Sequence, residues 1–304
     1  MSSELTRRVL VAVIAAPVAI VVLVVGGAWL AALISMTAAL AAWEFFRIAR
    51  GAGLAPLERL GVALAGVVPL VVHARFLGLY DPNQTIGAAS VASLVFLVIL
   101  GACIWARGVA GKPLGAAAST TFGIAYTGGM LSFGLAIWHH EYAFAPASLS
   151  FGSRALTVPS GGLLLLLPVF VTWASDIGAF AVGRVVGRHK LIPSVSPGKT
   201  VEGAIGGLVA SMLVAWLYVQ FVLRPAAHLG FSFAPWGVFT FGAIVSVAAQ
   251  IGDLTESLLK REAGVKDSSH LIPGHGGILD RFDSLLFVLP VAYVVLGAML
   301  TWAP

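Results

Sequence analysis

The chain has 304 residues, 59% of them hydrophobic and only 10% charged, with a mean hydropathy of +0.97. That composition excludes an ordinary soluble domain and points to an all-α, polytopic integral membrane protein whose core lies in the bilayer. The net charge of +5 invites a nucleic-acid reading, but the basic residues stand beside apolar runs, where anionic lipid headgroups are the natural partner and no nucleic acid is expected.

Nine spans are predicted, near residues 9–26, 28–46, 60–77, 87–106, 116–138, 160–182, 202–223, 235–254 and 284–303. They are helices because the runs are continuous and rich in Leu, Ala and Val; barrel strands would alternate and be about half as long. The first follows Arg7-Arg8 but exceeds a signal-peptide core and flows into the second, so it reads as a retained helix. Residues 1–159 read as a scaffold and 160–304 as a catalytic core, within one membrane domain. Inside the scaffold spans the one conspicuous polar residue is Glu44, beside Arg47, which reads as a paired, snorkelling surface charge. Cys103 is the single cysteine, which excludes an intramolecular disulfide and a cysteine-rich metal site and suggests a small packing residue. His139, His140 and Glu141, beside Trp138, read as an interfacial cap.

Nine spans put the termini on opposite sides, and the loops can be checked for charge. Of the 18 basic residues, only Arg75, Arg154 and Arg224 fall on the side opposite the N-terminus. The positive-inside rule then makes the N-terminus and the charged loops cytoplasmic.

Three polar clusters share that face. In the sixth span, Trp173, Asp176, Phe180, Gly183, Arg184 and Gly187 form one helical stripe. Asp176 there either pairs with Arg184 or Arg188 or faces a wet cavity, and the glycines either serve a ligand or pack helix on helix. Before the seventh span, Ser196-Pro197-Gly198-Lys199-Thr200 predicts an N-cap at Ser196, with free N–H groups and Lys199 directed at phosphate. A nucleotide P-loop is excluded, because Pro193 stands where that motif needs glycine.

The third cluster closes the eighth span with Asp253, Glu256, Ser257 and Lys260 on one face. It continues through Arg261, Lys266-Asp267-Ser268-Ser269 and Pro273-Gly274-His275-Gly276-Gly277 to Asp280-Arg281-Phe282-Asp283. Asp280 and Asp283, one turn apart, can meet one divalent cation holding triphosphate oxygens. The glycines let backbone approach phosphate closely.

The run from Ser257 to Asp283 resembles the signature of the phosphatidate cytidylyltransferases, or CDP-diacylglycerol synthases: Ser-x-x-Lys-Arg, Lys-Asp-x-Ser, then Pro-Gly-His-Gly-Gly-x-x-Asp-Arg-x-Asp. The likeness extends through Gln250-x-Gly-Asp253-Leu, Ser196-Pro-x-Lys199-Thr-x-Glu202-Gly203 and the Asp176 to Gly187 helix. Gly198 stands where many members have lysine, and Phe180 where many have tyrosine.

The resemblance implies that CTP and phosphatidic acid react to give CDP-diacylglycerol and pyrophosphate, with Mg2+ in one or two metal sites; the short loops and lack of a long N-terminal extension lead to the expectation of a cell inner membrane. It implies Asp253, Asp280 and Asp283 as metal ligands, with Asp176 as a further contributor. Lys199, Lys260, Arg261, Lys266 and Arg281 become phosphate-binding candidates, and Ser196, Thr200 and Ser257 hydroxyl partners. His275 either contacts phosphate or shapes the loop. A homodimer is the family expectation. Two other readings compete: an ion-coupled transporter, which would need acidic residues near mid-membrane, and transfer to a lipid alcohol in place of phosphatidic acid.

Overall fold

A computed structural model describes residues 16–79, 88–141, 146–151, 154–226, 231–233, 236–271 and 276–302. The helices are α1 (Ala16–Val25), α2 (Gly27–Gly51), α3 (Glu58–Phe76), α4 (Ala88–Ala106), α5 (Pro113–Ile124), α6 (Met130–Trp138), α7 (Ser160–Val186), α8 (Val201–Tyr218), α9 (Gly237–Glu262) and α10 (Leu279–Met299). A π-helical turn, Ala125–Gly129, joins α5 to α6, and another, Val219–Leu223, extends α8. Seven of these helical segments are long and apolar enough to cross a membrane, while Ala16–Val25 and Ser90–Ala106 are shorter apolar helices. The architecture is therefore the all-α, multi-pass one expected. Three two-stranded pairs complete the described elements: β1 (Pro146–Phe151) with β2 (Arg154–Pro159), β3 (Lys190–Ile192) with β4 (Ser196–Thr200), and β5 (Phe231–Phe233) with β6 (Leu300–Trp302).

The chain divides into two compact units that interleave along the sequence. The first contains residues 27–135 and 259–282, so the segment from Lys260 to Arg281 belongs with helices of the N-terminal half. Its core forms around Phe46, fully buried on α2. A Cβ on Gly61 of α3 would lie 2.5 Å from the Phe46 ring, so the absence of a side chain there makes room for the aromatic one. Phe45, Phe122 and Tyr126 pack beside it with ring centroids 5.4–6.0 Å apart. Thr120 accepts a hydrogen bond from the Leu57 amide at 2.8 Å and donates to the Ala116 carbonyl at 2.7 Å, tying the start of α3 to α5. Cys103 is buried, as expected, with Sγ 3.8 Å from the Pro113 carbonyl.

The second unit contains residues 13–26, 136–258 and 283–304. Here α7 and α8 approach along small residues: a Cβ on Gly203 would lie 2.8 Å from the Ala179 carbonyl oxygen, and one on Gly207 2.8 Å from that of Ser175. In a bilayer, where lipid is as apolar as leucine, close packing and interhelical hydrogen bonds supply the attraction between helices. The hydrogen bonds are present: Ser175 to Ser246 at 2.8 Å, Ser211 to the Val171 carbonyl at 3.1 Å, and Gln250 to the Ala204 carbonyl at 3.1 Å. In the glycine stripe of the sixth span, a Cβ on Gly183 would lie 3.5 Å from Gly203 Cα and one on Gly187 2.7 Å from Thr200 Oγ1, so both pack closely, while Gly183 also lines a cavity enclosed by α7, α8 and α9.

Two local expectations change. Ser196 does not cap a helix: Ser196–Thr200 pairs antiparallel with Lys190–Ile192, and Thr200, in extended conformation, caps α8 by accepting the Gly203 amide at 3.1 Å. Strand pairing holds residues 196–200 extended, so the cap moves four residues on. Within the cluster read as an interfacial cap, His140 is 6% exposed with its ring edge-on to Tyr293 at 5.7 Å, so it packs inside the protein, while Glu141 is exposed. Burial pushes the His140 imidazole pKa below the ordinary value, against the opposing effect of Glu141.

Candidate active site

In the second unit a cavity of about 420 Å³ is lined by Asp176, Phe180 and Arg184 of α7, Lys199 and Thr200 at the entry to α8, and Gln250 and Asp253 of α9. Its ionic centre is Lys199, whose Nζ lies 2.5 Å from Asp253 Oδ2; the two side chains keep 26% and 33% of their exposure. Ser257, one turn further along α9, donates to Asp253 Oδ1 at 3.5 Å. Arg184 extends over the Phe180 ring, 5.9 Å from its centroid. Gly252 packs directly on α10, where a Cβ would lie 2.7 Å from the Asp283 carbonyl oxygen. Asp253 and Asp283 therefore occupy the same level of adjacent helices.

The loop before α8 is held by a residue that the candidate set omitted. Glu202 accepts the backbone N–H groups of Arg188 and His189 at 3.0 and 3.2 Å, and His189 Nδ1 lies 2.6 Å from its other oxygen. Its signal in the sequence was a carboxylate in the first turn of a helix, where free N–H groups attract negative charge.

In the first unit a different set converges. Lys260 Nζ lies 2.6 Å from Asp280 Oδ1, with side chains only 12% and 6% exposed. Asp280 Oδ2 accepts from the Ser268 amide at 3.0 Å, the Ser268 hydroxyl at 2.8 Å and the Gly277 amide at 2.8 Å. Arg261 donates to the Val265 carbonyl at 3.3 Å, and Lys266 and Arg281 are exposed. Ser196, in β4, is partly buried in the second unit. His275 lies outside the described residues, as do Pro273 and Gly274.

Glu44 overturns its sequence reading. It is fully buried, not a surface charge, and Arg47 instead lies over the Trp43 ring at 4.8 Å. The Glu44 carboxylate accepts from Ser269 Oγ at 2.5 Å, the Ile278 amide at 3.0 Å and the Leu279 amide at 2.6 Å, with Ser268 Oγ at 3.1 Å. A buried carboxylate endures only with such donors around it. The available signal was negative: residue 278, just before α10, is isoleucine, which cannot cap a helix.

A hard cation such as Mg2+ needs oxygen donors, commonly one or two carboxylates completed by substrate phosphates and water. Asp253 and Asp176, which line one cavity, are carboxylates of that kind, and Asp283 stands on the helix that packs against Gly252. Asp280 is differently placed, its two oxygens surrounded by Lys260, Ser268 and Gly277. Among the described residues no three acidic, histidine or cysteine side chains form a cluster that could hold a metal.

Comparison with known proteins decides the kinship. A model of the cytidylyltransferase family matches residues 6–299. A phosphatidate cytidylyltransferase of Synechocystis is 32% identical, over 95% of this chain and 95% of that protein. The chain belongs to the cytidylyltransferase family. Phosphatidate cytidylyltransferases of Staphylococcus saprophyticus and Staphylococcus haemolyticus are 48% and 47% identical over 138 and 141 residues, or 45% and 46% of this chain. Those alignments span about half the length of the Staphylococcus relatives, 50% and 52%.

Proposed function

We propose that this family member transfers the cytidylyl group of CTP to phosphatidic acid, giving CDP-diacylglycerol and pyrophosphate for phospholipid synthesis. The observation that carries the reading is the cavity in which Lys199, Asp253, Asp176 and Arg184 meet among helices long enough to cross a bilayer. Cations beside carboxylates in a walled cavity suit a polyanion, and a full-length relative bears the name of this activity.

In the proposed reaction a phosphate oxygen of phosphatidic acid attacks the α-phosphorus of CTP. The bond from that phosphorus to the bridging oxygen breaks, and pyrophosphate leaves with the electron pair. A phosphate monoester is already largely ionised at pH 7, so no strong general base is required. The work is to bring two polyanions together and offset their repulsion. Asp253 and Asp283 would hold Mg2+, with Asp176 available nearby; when bound, the ion neutralises phosphate oxygens and stabilises the leaving group. Lys199 exchanges its contact with Asp253 for phosphate as substrate arrives, and Thr200, fixed by its cap, keeps Lys199 at the cavity wall. Ser257 orients Asp253, and Lys260, Arg261, Lys266 and Arg281 are phosphate-binding candidates on the strength of the family signature. The acyl chains remain in lipid.

The experiment is conversion of CTP and phosphatidic acid by the purified chain, with Mg2+ or with EDTA. Product that appears with Mg2+ and disappears with EDTA supports both reaction and ion. No product from well-folded protein with varied phosphatidic acids removes the reading.

The N-terminus and the polar loops are assigned to the cytoplasm of a cell with the chain in its inner membrane, from the basic residues alone. After replacement of Cys103 by serine, a Lys266→Cys variant should react with an impermeant thiol reagent in inside-out vesicles and resist it in intact spheroplasts. The opposite pattern inverts the topology. A homodimer is also proposed, and crosslinking in native membranes tests it.

A further inference from the structure

We infer that Glu44 is a positioning residue: from the scaffold helix α2 it caps α10 and fastens both flanks of the 268–279 segment, thereby fixing Asp280 and its partner Lys260. This deepens the cytidylyltransferase reading and rests on it for the catalytic consequence.

The first N–H groups of a helix have no partner within it and are ordinarily served by a side chain just upstream. At α10 that position is Ile278, and the acceptor comes from Glu44 in its place, at 3.0 Å from the Ile278 amide and 2.6 Å from that of Leu279. A carboxylate at this end also meets the positive pole of the helix. On the other flank Glu44 takes the Ser269 hydroxyl at 2.5 Å. Ser268 Oγ stands between two acids, 2.8 Å from Asp280 and 3.1 Å from Glu44, and its single proton can serve one at a time. The shorter contact assigns it to Asp280, leaving Glu44 its other three donors. Gly277 completes the arrangement, because a Cβ there would lie 2.5 Å from the Glu44 carboxylate oxygens.

Two features separate this from general packing. Every donor named lies within the segment carrying the Lys-Asp-x-Ser and Asp-Arg-x-Asp motifs, and the Asp280 carboxylate shares Ser268 with Glu44. Glu44 thus acts at one remove from the charged pair and touches no substrate in the proposed reaction.

The test uses the full chain in lipid nanodiscs, as wild type, Glu44→Gln, Glu44→Asp and Ser269→Ala. Amide hydrogen exchange is followed at residues 266–271 and 276–283, and kcat and KM are measured for both substrates. For Glu44→Gln, exchange at Ile278, Leu279 and Ser268 is expected to rise by about tenfold or more with the rest of the chain little changed. Its kcat is expected to fall about 30-fold or more, while both KM values stay within about threefold. Glu44→Asp keeps the charge but not the reach and should fall between. Ser269→Ala, which removes one donor at small structural cost, should shift both readouts in the same direction by about three- to tenfold, and it carries the test if the Glu44 variants do not fold. Exchange unchanged at those amides, or rising across the whole chain, overturns the inference, as does a kcat within twofold of wild type. If wild type makes no CDP-diacylglycerol, the reaction reading falls, and the exchange pattern still decides whether Glu44 holds this segment.

Discussion

Asp253→Asn is expected to lower kcat for CDP-diacylglycerol formation by about 10²- to 10³-fold, the range for removing one preorganised electrostatic contact from a reacting phosphoryl or acyl centre. Asp253, in the cavity wall, contacts Lys199 at 2.5 Å and Ser257 at 3.5 Å, and its neighbour Gly252 packs on the helix that bears Asp283. Asparagine matches its size, so packing survives while the charge that balances Lys199 and would hold the cation is gone. Because Lys199 and Asp253 are partly exposed, the folding cost is small and the loss falls on chemistry. Lys199→Met should weaken CTP binding as well as turnover. The double variant should be little worse than Asp253→Asn alone, since residues acting as a unit are not additive. An Asp253→Asn protein that retains more than a tenth of wild-type kcat/KM would remove Asp253 from the machinery.

The second large effect is on stability. Lys260 and Asp280 are 12% and 6% exposed, and removing one partner takes its closest counter-charge from the other in a poorly solvated place. Lys260→Met or Asp280→Asn is therefore expected to destabilise the first unit by about 3–5 kcal/mol. Asp280→Asn also weakens acceptance from Ser268 and Gly277, so it should be the worse of the two. The double variant Lys260→Met, Asp280→Asn should recover much of the stability, because neither member of this pair then lacks the other, without recovering activity. Thermal unfolding in nanodiscs, followed beside product formation, checks both. Recovery of activity with stability would make the pair a structural brace only, whereas a double variant no more stable than the worse single one would remove the counter-charge explanation.

The Asp253–Ser257 contact was legible from local periodicity, since i, i+4 spacing on a helix puts side chains on one face whatever the helix packs against. The same reasoning paired Asp280 with Asp283 on a single cation. Spacing along α10 is right for that, but in the folded chain Asp280 turns to Lys260 and the Ser268 and Gly277 amides, contacts that come from other turns of the chain. Ser196-Pro197 looked like a helix start because both residues favour one; pairing of β4 with β3 prevailed, and Thr200 took the cap. Glu44 was misread because a lone acid near the end of an apolar helix is commonly a surface charge, and its donors are more than 220 residues away in the sequence.

By itself, the sequence determined that this protein is helical and embedded in a membrane, and that it carries a cytidylyltransferase signature. These follow from apolar run length and residue order, both local properties of the chain. The tertiary structure decided which acid meets which base: Lys199 with Asp253, Lys260 with Asp280, Glu44 with the capless end of α10. Those partners depend on which faces of different helices come within a few ångströms, and small residues far apart in sequence govern that approach.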